Sequence, residues 1–265
     1  MGNWRGKWAL VTGASAGIGR ALAVELAAGG AQLILTARRR DRLEELAREL
    51  ASKNNIRAEI CVADLAKPSG PEEIFAFTKA KGIDVELLVN NAGFGAYGEF
   101  ARTELKRSLE MVQVNIAAVV HLTHLYLQPM IARKHGDILI VSSIAAFQAV
   151  PYFAVYAGTK SFELLFAEAL AEEVRPIGIR VCALCPGTTT SEFHKVANNP
   201  NPERRHMETA EKVARTGLRA LARGRSCIIS GTTNFLGANV QRFFRRRAVT
   251  RIVAKLYRPK EGKQA

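Results

Sequence analysis

The sequence predicts an α/β fold, a parallel sheet of about seven strands, doubly wound, with helices on both faces. Three observations predict it. Short apolar runs alternate with segments of helical periodicity along the 265 residues. The runs are apolar almost throughout, the pattern of strands buried on both faces. A glycine-rich turn joins the first run to the first helical segment. With right-handed crossovers this becomes a Rossmann-type sheet.

"WALVTG" opens as a strand and "IGRALAVELAAGG" follows as a helix stopped by Gly29-Gly30. "AQLILTA" is the second strand. "DRLEELARELASK" is an amphipathic helix supported by pairs such as Glu44 and Arg48 at i,i+4. "IRAEICVADL" is a strand, and Pro71 starts the helix "GPEEIFAFTKAKG". "VELLVNNAG" is the fourth strand, and the mostly apolar segment 103–134 is expected as one long buried helix. "GDILIVSSIA" precedes a helix expected from about Tyr152 to Val174. "IRVCALCPG", a polar loop, the helix "METAEKVARTGLRALARG" and the strand "SCIISG" complete the domain. No linker divides it, so residues 1–236 are expected as one catalytic domain, with 237–265 as a basic amphipathic extension.

Hydrophobic side chains make up 48% of the chain, enough for one sizeable core. No apolar run approaches the 18 residues of a membrane span. The N-terminal residues lack a signal-peptide cleavage pattern, and Gly6 stands where a myristoylation site needs Ser or Thr. Cys61, Cys182, Cys185 and Cys227 lack metal spacing and lie mostly in strand-like runs. They read as free thiols in a reducing cytoplasm. The net charge is +14, and residues 242–260 supply eight basic and no acidic residues to it. The basicity therefore belongs to the C-terminal end and says little about the chemistry of the main body.

Between the first strand and helix, "TGASAGIG" places Gly13, Ser15, Ala16, Gly17, Ile18 and Gly19 at a helix N-terminus. Glycines there let the backbone approach a pyrophosphate, and the unpaired N–H groups attract it. The spacing is G-x-x-x-G-x-G. At the end of the second strand, where an acid would hold both ribose hydroxyls of NAD, stand Ala37 and Arg38-Arg39-Arg40. Arginine pairs with phosphate, so NADP(H) is the expected cofactor and Arg38 the candidate reader of its 2′-phosphate. Arg39 and Arg40 read equally as a solvated turn or the start of the next helix.

Tyr156 and Lys160, in "YAGTK", share one face of a helix. A free phenol has a pKa near ~10, and a nearby ammonium lowers it. A shift of about 2–3 units, roughly 3–4 kcal/mol, would suit Tyr156 to exchange a proton with a carbonyl or alcohol oxygen. The competing reading is a packed ring beside a snorkelling lysine. Ser143 ends the fifth strand, where this fold forms its ligand crevice, so its hydroxyl can bond the reacting oxygen. Ser142 points the other way and is expected to be structural. Asn115 is a polar residue in an apolar helix and needs buried partners.

"TGASAGIG", Asp64, "NNAG" (90–93), Asn115, "SS" (142–143), "YAGTK" and "PG" (186–187) occur in an order and spacing that resemble the short-chain dehydrogenases/reductases of the Tyr-x-x-x-Lys type. The match runs over roughly residues 7–231, and the steroid and long-chain 3-ketoacyl reductases look the most similar subgroup. The resemblance implies hydride transfer between NADP(H) and a carbonyl or alcohol, with Asn115, Ser143, Tyr156 and Lys160 as catalytic residues. It implies that Asn115 supports a water linked to Lys160, and that Lys160 also binds the nicotinamide ribose. Asp64 and Leu65 would contact adenine. Asn91, Ala92 and Gly93 would line the adenosine ribose, and Pro186, Gly187 and Thr188 would flank the nicotinamide. "AGT" departs from the more frequent small residues between Tyr156 and Lys160 without loss of activity expected.

Phe94, Ala145, Phe147, Val150, Tyr152 and Phe193 follow these motifs and are expected to form an apolar substrate pocket. The loop 188–206 could close over it, with Arg204 and Arg205 open to an acidic group or to solvent. His121 and His124 read as packed or hydrogen-bonded rather than metal-binding, and no metal is expected. The expected assembly is a homodimer or homotetramer. Val249, Ile252, Val253, Leu256 and Tyr257 form a helical apolar stripe among basic residues. That helix could pack on its own domain, meet another subunit, or touch an anionic membrane peripherally. The rival to an enzyme is a cofactor-sensing or nucleic-acid-binding protein on the same fold. Retention of all four catalytic residue types argues against it.

Overall fold

The computed structural model describes residues 4–198 and 207–259. Arg204 and Arg205 lie outside the described residues. Seven strands form one sheet: β1 (Trp8–Thr12), β2 (Gln32–Ala37), β3 (Ala58–Val62), β4 (Val85–Asn90), β5 (Gly136–Val141), β6 (Ile179–Cys185) and β7 (Cys227–Ile229). Their order is β3-β2-β1-β4-β5-β6-β7, with every pairing parallel. The helices are α1 (Gly17–Ala28), α2 (Arg40–Asn54), α3 (Gly70–Ala80), α4 (Leu105–Val112), α5 (Ala118–Arg133), α6 (Ala154–Val174), α7 (Phe193–Val196), α8 (Ala210–Ala222), α9 (Thr232–Val240) and α10 (Arg246–Tyr257). This is the doubly wound sheet expected from the alternation.

Successive strand residues serve opposite faces. On one face Ala9, Val11, Leu139, Cys182 and Leu184 pack with Leu22 of α1, Leu43 of α2 and Val213 of α8. On the other, Leu10, Ile138, Ile140, Val181 and Ala183 pack with Ile74 of α3, Leu122 of α5 and Leu164 of α6. Because both faces are covered, the strands lack the polar alternation of a half-exposed sheet. The strand order reverses between β1 and β4, and a crevice forms beyond the strand C-termini there.

Three segments differ from the expected periodicity. The long helix is interrupted: between α4 and α5, residues Gln113–Ala117 form a π turn, with Ala118 N–H donating to Gln113 O. Asn115 lies inside that turn. Helix α6 starts two residues later than expected, after Tyr152 takes a positive φ of 68° in the preceding turn. At the C-terminal end the apolar stripe splits. Val249, Val253 and Tyr257 turn inward against Val150, Phe153, Ala157 and Ala197, and Val253 is 5% exposed. Ile252 and Leu256 stay exposed. Of the open readings for this helix, its inner face packs on its own domain.

Candidate active site

A continuous cavity of about 460 Å³ runs along the strand C-termini, from the glycine turn to Tyr257 of α10. Its size is that of a small-molecule site. Every expected cofactor contact lines it: Gly13, Ser15, Ala16, Gly17, Ile18, Gly19, Arg38, Asp64, Leu65, Asn91, Ala92, Gly93, Tyr156, Lys160, Pro186, Gly187 and Thr188.

The glycine turn shows why its sequence is so restricted. Gly13 has φ +66° and Gly17 has φ +55°, both in the left-handed region. A Cβ on Gly19 would lie 2.4 Å from both Gly13 O and Asn91 Nδ2. Asn91 holds the turn from the other side, its Nδ2 donating to Thr12 O at 2.8 Å. Thr12 Oγ1 accepts from the N–H groups of Asn91 and Ala92, both at 2.9 Å. Two strand ends are thereby locked across the switch point. The N-cap of α1 is Ala16, which supplies no side-chain cap, so the first-turn N–H groups face the cavity as donors. The cradle fits a dinucleotide pyrophosphate.

At the ribose end, Arg38 follows β2 and lines the cavity. Arg39 lines it too. Arg39 crosses to the glycine turn, donating to Ser15 Oγ from Nε at 3.3 Å and from Nη2 at 3.0 Å. Arg39 and Arg42 also pair with Glu192, at 2.9 and 2.7 Å. These two guanidinium groups hold the Glu192 carboxyl down at about pKa 2, chiefly through their hydrogen bonds. Arg39 is therefore part of the groove wall. The sequence showed only three adjacent arginines; the bond to Ser15 depends on β2 lying beside β1. Asp64 Oδ1 accepts from Ala66 N at 3.0 Å and shapes the turn after β3.

The reacting end is built on β5 and α6. Ser143 Oγ accepts from Ala145 N at 3.1 Å and lies in hydrogen-bonding reach of the Tyr156 phenol. Ser142 Oγ donates to Lys160 O at 2.8 Å, tying β5 to α6, the structural part expected of it. Asn115 is fully buried and stands behind the cavity wall. Its carboxamide accepts from Phe94 N at 3.2 Å and donates to Phe94 O and Thr159 Oγ1, both at 3.0 Å. It thus fixes the segment after β4 against α6. The Tyr156 ring packs with Phe153 (centroids 5.9 Å apart) and Phe193 (5.2 Å). Lys160 Nζ lies 5.8 Å from its centroid.

One electrostatic expectation is corrected. Burial holds Tyr156 above the ordinary phenol value, outweighing the Lys160 ammonium and the Ser143 hydroxyl, which both pull it down. Glu163 and Tyr257 push in the same direction as burial. Lys160 acts as expected in sign, but desolvation of the phenol is the larger effect. A raised pKa keeps Tyr156 protonated, the form that donates to a carbonyl oxygen.

Four of the six expected pocket residues line the cavity: Phe94, Ala145, Val150 and Phe193. Phe147 and Tyr152 are not among its lining residues. Phe147 packs on the core face shared with α3, α5 and α6. The positive-φ turn at Tyr152 leaves its ring beside Tyr97, centroids 6.4 Å apart. Phe153 and Tyr257 take part instead. Their rings meet at 5.8 Å, and Tyr97 Oη donates to Tyr257 O at 2.7 Å, fastening the end of α10 over the pocket. The spacing of Val249, Val253 and Tyr257, each four apart, was the available signal for this helix. His121 pairs with Glu72 of α3 at 3.0 Å.

Sheet order and glycine cradle define a Rossmann-type nucleotide-binding fold, with the Ser143–Tyr156–Lys160 group at its crevice. Residues 7–202 match the family model described as short chain dehydrogenase, and the chain belongs to that family. It is 34% identical over 221 residues to a very-long-chain 3-oxoacyl-CoA reductase of Phaeosphaeria nodorum, covering 80% of this chain and 65% of the relative. Among solved structures it resembles a 7beta-hydroxysteroid dehydrogenase, with a TM-score of 0.87, 25% identity, and 96% and 100% of the two chains covered. It also resembles an L-sorbose reductase from Gluconobacter frateurii complexed with NADPH and L-sorbose: TM-score 0.77, 26% identity, 87% and 97% covered. The chain thus spans just under two thirds of the length of the first of these relatives.

Proposed function

We propose that the protein uses NADPH to reduce a hydrophobic ketone, of the 3-oxoacyl or steroid kind, to the alcohol. The observation that carries this is a protonated tyrosine at the floor of a cavity walled by Phe94, Val150, Phe153, Phe193 and Tyr257. NADPH supplies the hydride. Ser143 orients the carbonyl oxygen, Tyr156 protonates it, and Lys160 stabilises the charge left on the phenol oxygen. Asn115 holds the segment after β4 in place and supports the water expected beside Lys160. Two of the three similar proteins are named for 3-oxoacyl-CoA and hydroxysteroid substrates and the third for L-sorbose; the apolar walls suit the first two. Measuring NADPH absorbance with 3-oxoacyl thioesters, ketosteroids and polar sugar ketones is the test. Turnover of the first two classes is expected, and turnover confined to the sugars overturns the reading. A bare cofactor sensor or nucleic-acid binder would need neither Ser143 nor Tyr156.

NADPH is preferred because two arginines line the ribose end where an acid would favour NADH. A lost charge-assisted phosphate bond costs about 1.5–3 kcal/mol, roughly ten- to a hundredfold in affinity. Arg38→Ala is expected to weaken NADPH by that factor and NADH little, and Arg39→Ala to act in the same direction. Equal changes in the two dissociation constants would show that neither residue reads the phosphate.

Two surfaces support assembly and membrane readings. Leu109 and Val112 of α4, Val120 of α5 and Leu165 of α6 are exposed apolar residues, the basis for a homodimer or homotetramer. Phe243, Phe244, Ile252 and Leu256 are exposed beside Arg245, Arg246, Arg247, Arg251 and Lys255, and Phe243 is 87% exposed. Apolar and basic side chains together suit an anionic membrane interface. No helix among the described residues is long and apolar enough to cross a membrane. Co-sedimentation of the full chain with anionic but not neutral vesicles, weakened by salt and by Phe243→Ser/Phe244→Ser, is the expected result. Absence of binding at low salt refutes membrane contact.

A further inference from the structure

Glu163 is a buried acid that the mechanism above does not use. It lies seven residues after Tyr156 and three after Lys160 on α6, so the three share a helix face. Leu164, Ala167 and Leu170 of the same helix are buried and apolar. Glu163 itself is 1% exposed. Both of its carboxylate oxygens accept from Lys160 Nζ, at 3.0 and 2.8 Å. Nζ also donates to Val141 O at 2.9 Å. A carboxylate at such depth is costly unless it is paired, and this one is paired to a single group, the lysine of the reacting site.

We propose that Glu163 is a positioning residue for Lys160, and that its own protonation state sets how much of the lysine's charge reaches Tyr156. The proposal rests on the reading of Tyr156 as proton donor. In the reductive direction hydride joins the carbonyl carbon, the Tyr156 O–H bond breaks, and its proton goes to the carbonyl oxygen. The phenolate left behind is stabilised by Lys160 and takes its proton back from water. With Glu163 ionised, Lys160 and Glu163 form a neutral pair, and the phenolate gains little from it. With Glu163 protonated, the ammonium is uncompensated and the phenolate is favoured. At an effective dielectric near ~20 the difference corresponds to roughly ten- to a hundredfold in rate.

The titration falls in a measurable range. Burial pushes the Glu163 carboxyl up to about 7, against the Lys160 ammonium that pulls it down. Burial lowers Lys160, but Glu163, with Tyr156 and Cys185, reverses this and its pKa is raised, so it stays charged. Tyr156 on the same helix and Tyr97 beside α10 are held above the ordinary phenol value, chiefly by burial. Tyr257 of α10 faces Tyr156. On β6, Cys185 faces Lys160, and its hydrogen bond with the free thiol of Cys227 on β7, with burial, holds its thiol well above the ordinary value. The same bond lowers Cys227. Glu163 and Cys227 are therefore the groups around the pair to separate by experiment.

The test is the single-turnover rate of NADPH oxidation by a reducible ketone across pH. In the native protein the rate is expected to fall about tenfold or more as pH rises through about 7. Glu163→Gln keeps the shape and one acceptor for Lys160 but cannot ionise. It should hold the upper rate through the same range, with unchanged NADPH affinity. Glu163→Leu, with its melting temperature measured, should likewise lack the step. Cys227→Ser should retain it. Persistence of the step in Glu163→Gln, its loss in Cys227→Ser, or a uniform drop in rate at every pH overturns the proposal. Tyr156→Phe in the same assay separates the two readings. If that variant still turns over, the proton-donor assignment fails; if it is inactive while Glu163→Gln keeps the step, only the role of Glu163 fails.

Discussion

Tyr156→Phe is expected to lower kcat by roughly 10²–10⁴-fold, the usual loss when a positioned proton donor is removed. The substitution deletes one oxygen and leaves the ring. The packing against Phe153 and Phe193, and the contact with the Lys160 ammonium, do not need the hydroxyl. NADPH affinity and melting temperature should stay near the native values, since the cradle at Gly13–Gly19 and the Thr12–Asn91 lock are distant in the cavity. Stopped-flow measurement of NADPH oxidation, with a separate binding titration, checks both halves. A kcat within tenfold of native would remove Tyr156 from the chemistry. Lost NADPH binding would mean that its ring is structural.

Gly19→Ala is expected to abolish measurable NADPH binding and to lower stability together. The added Cβ would sit 2.4 Å from Gly13 O, a main-chain atom, and 2.4 Å from Asn91 Nδ2. A side chain at its flexible end could move aside. The carbonyl belongs to a turn fixed by the positive φ of Gly13 and by the bonds from Asn91. The first turn of α1 must therefore shift away from β4, and its N–H groups lose their aim at the phosphate site. Overpacking of this kind costs about 1–3 kcal/mol. A melting curve and an NADPH titration measure the two effects. Near-native affinity would show that the turn adapts and that the close approach of Gly19 is incidental.

Much of this protein is decided within short stretches of sequence. Apolar runs of strand length between periodic helices specify the parallel sheet, because each run must be covered on both faces. "TGASAGIG" specifies the phosphate cradle, because glycine takes the positive φ of Gly13 and Gly17 without strain and leaves room for the close approach at Gly19. "YAGTK" specifies the Tyr156–Lys160 face, because α6 repeats near every fourth residue. In each case the physical constraint acts over one turn or one strand.

What the tertiary structure decided are meetings between segments far apart in the chain. Arg39 reaches Ser15 only because β2 lies beside β1. Tyr257 walls the pocket because α10 returns to Tyr97 and Phe153, a contact between residues 160 apart. Phe147 and Tyr152 follow the motifs in sequence, yet the core and a positive-φ turn hold them elsewhere. The pKa of Tyr156 departs from the expected direction for the same reason. The helix spacing places an ammonium beside the phenol, but the depth of burial depends on β5, α7 and α10 closing around it. Glu163 is visible in the sequence as one more acid on a helix. That it lies inside and spends its charge on Lys160 follows only from the packing of α6 against the sheet.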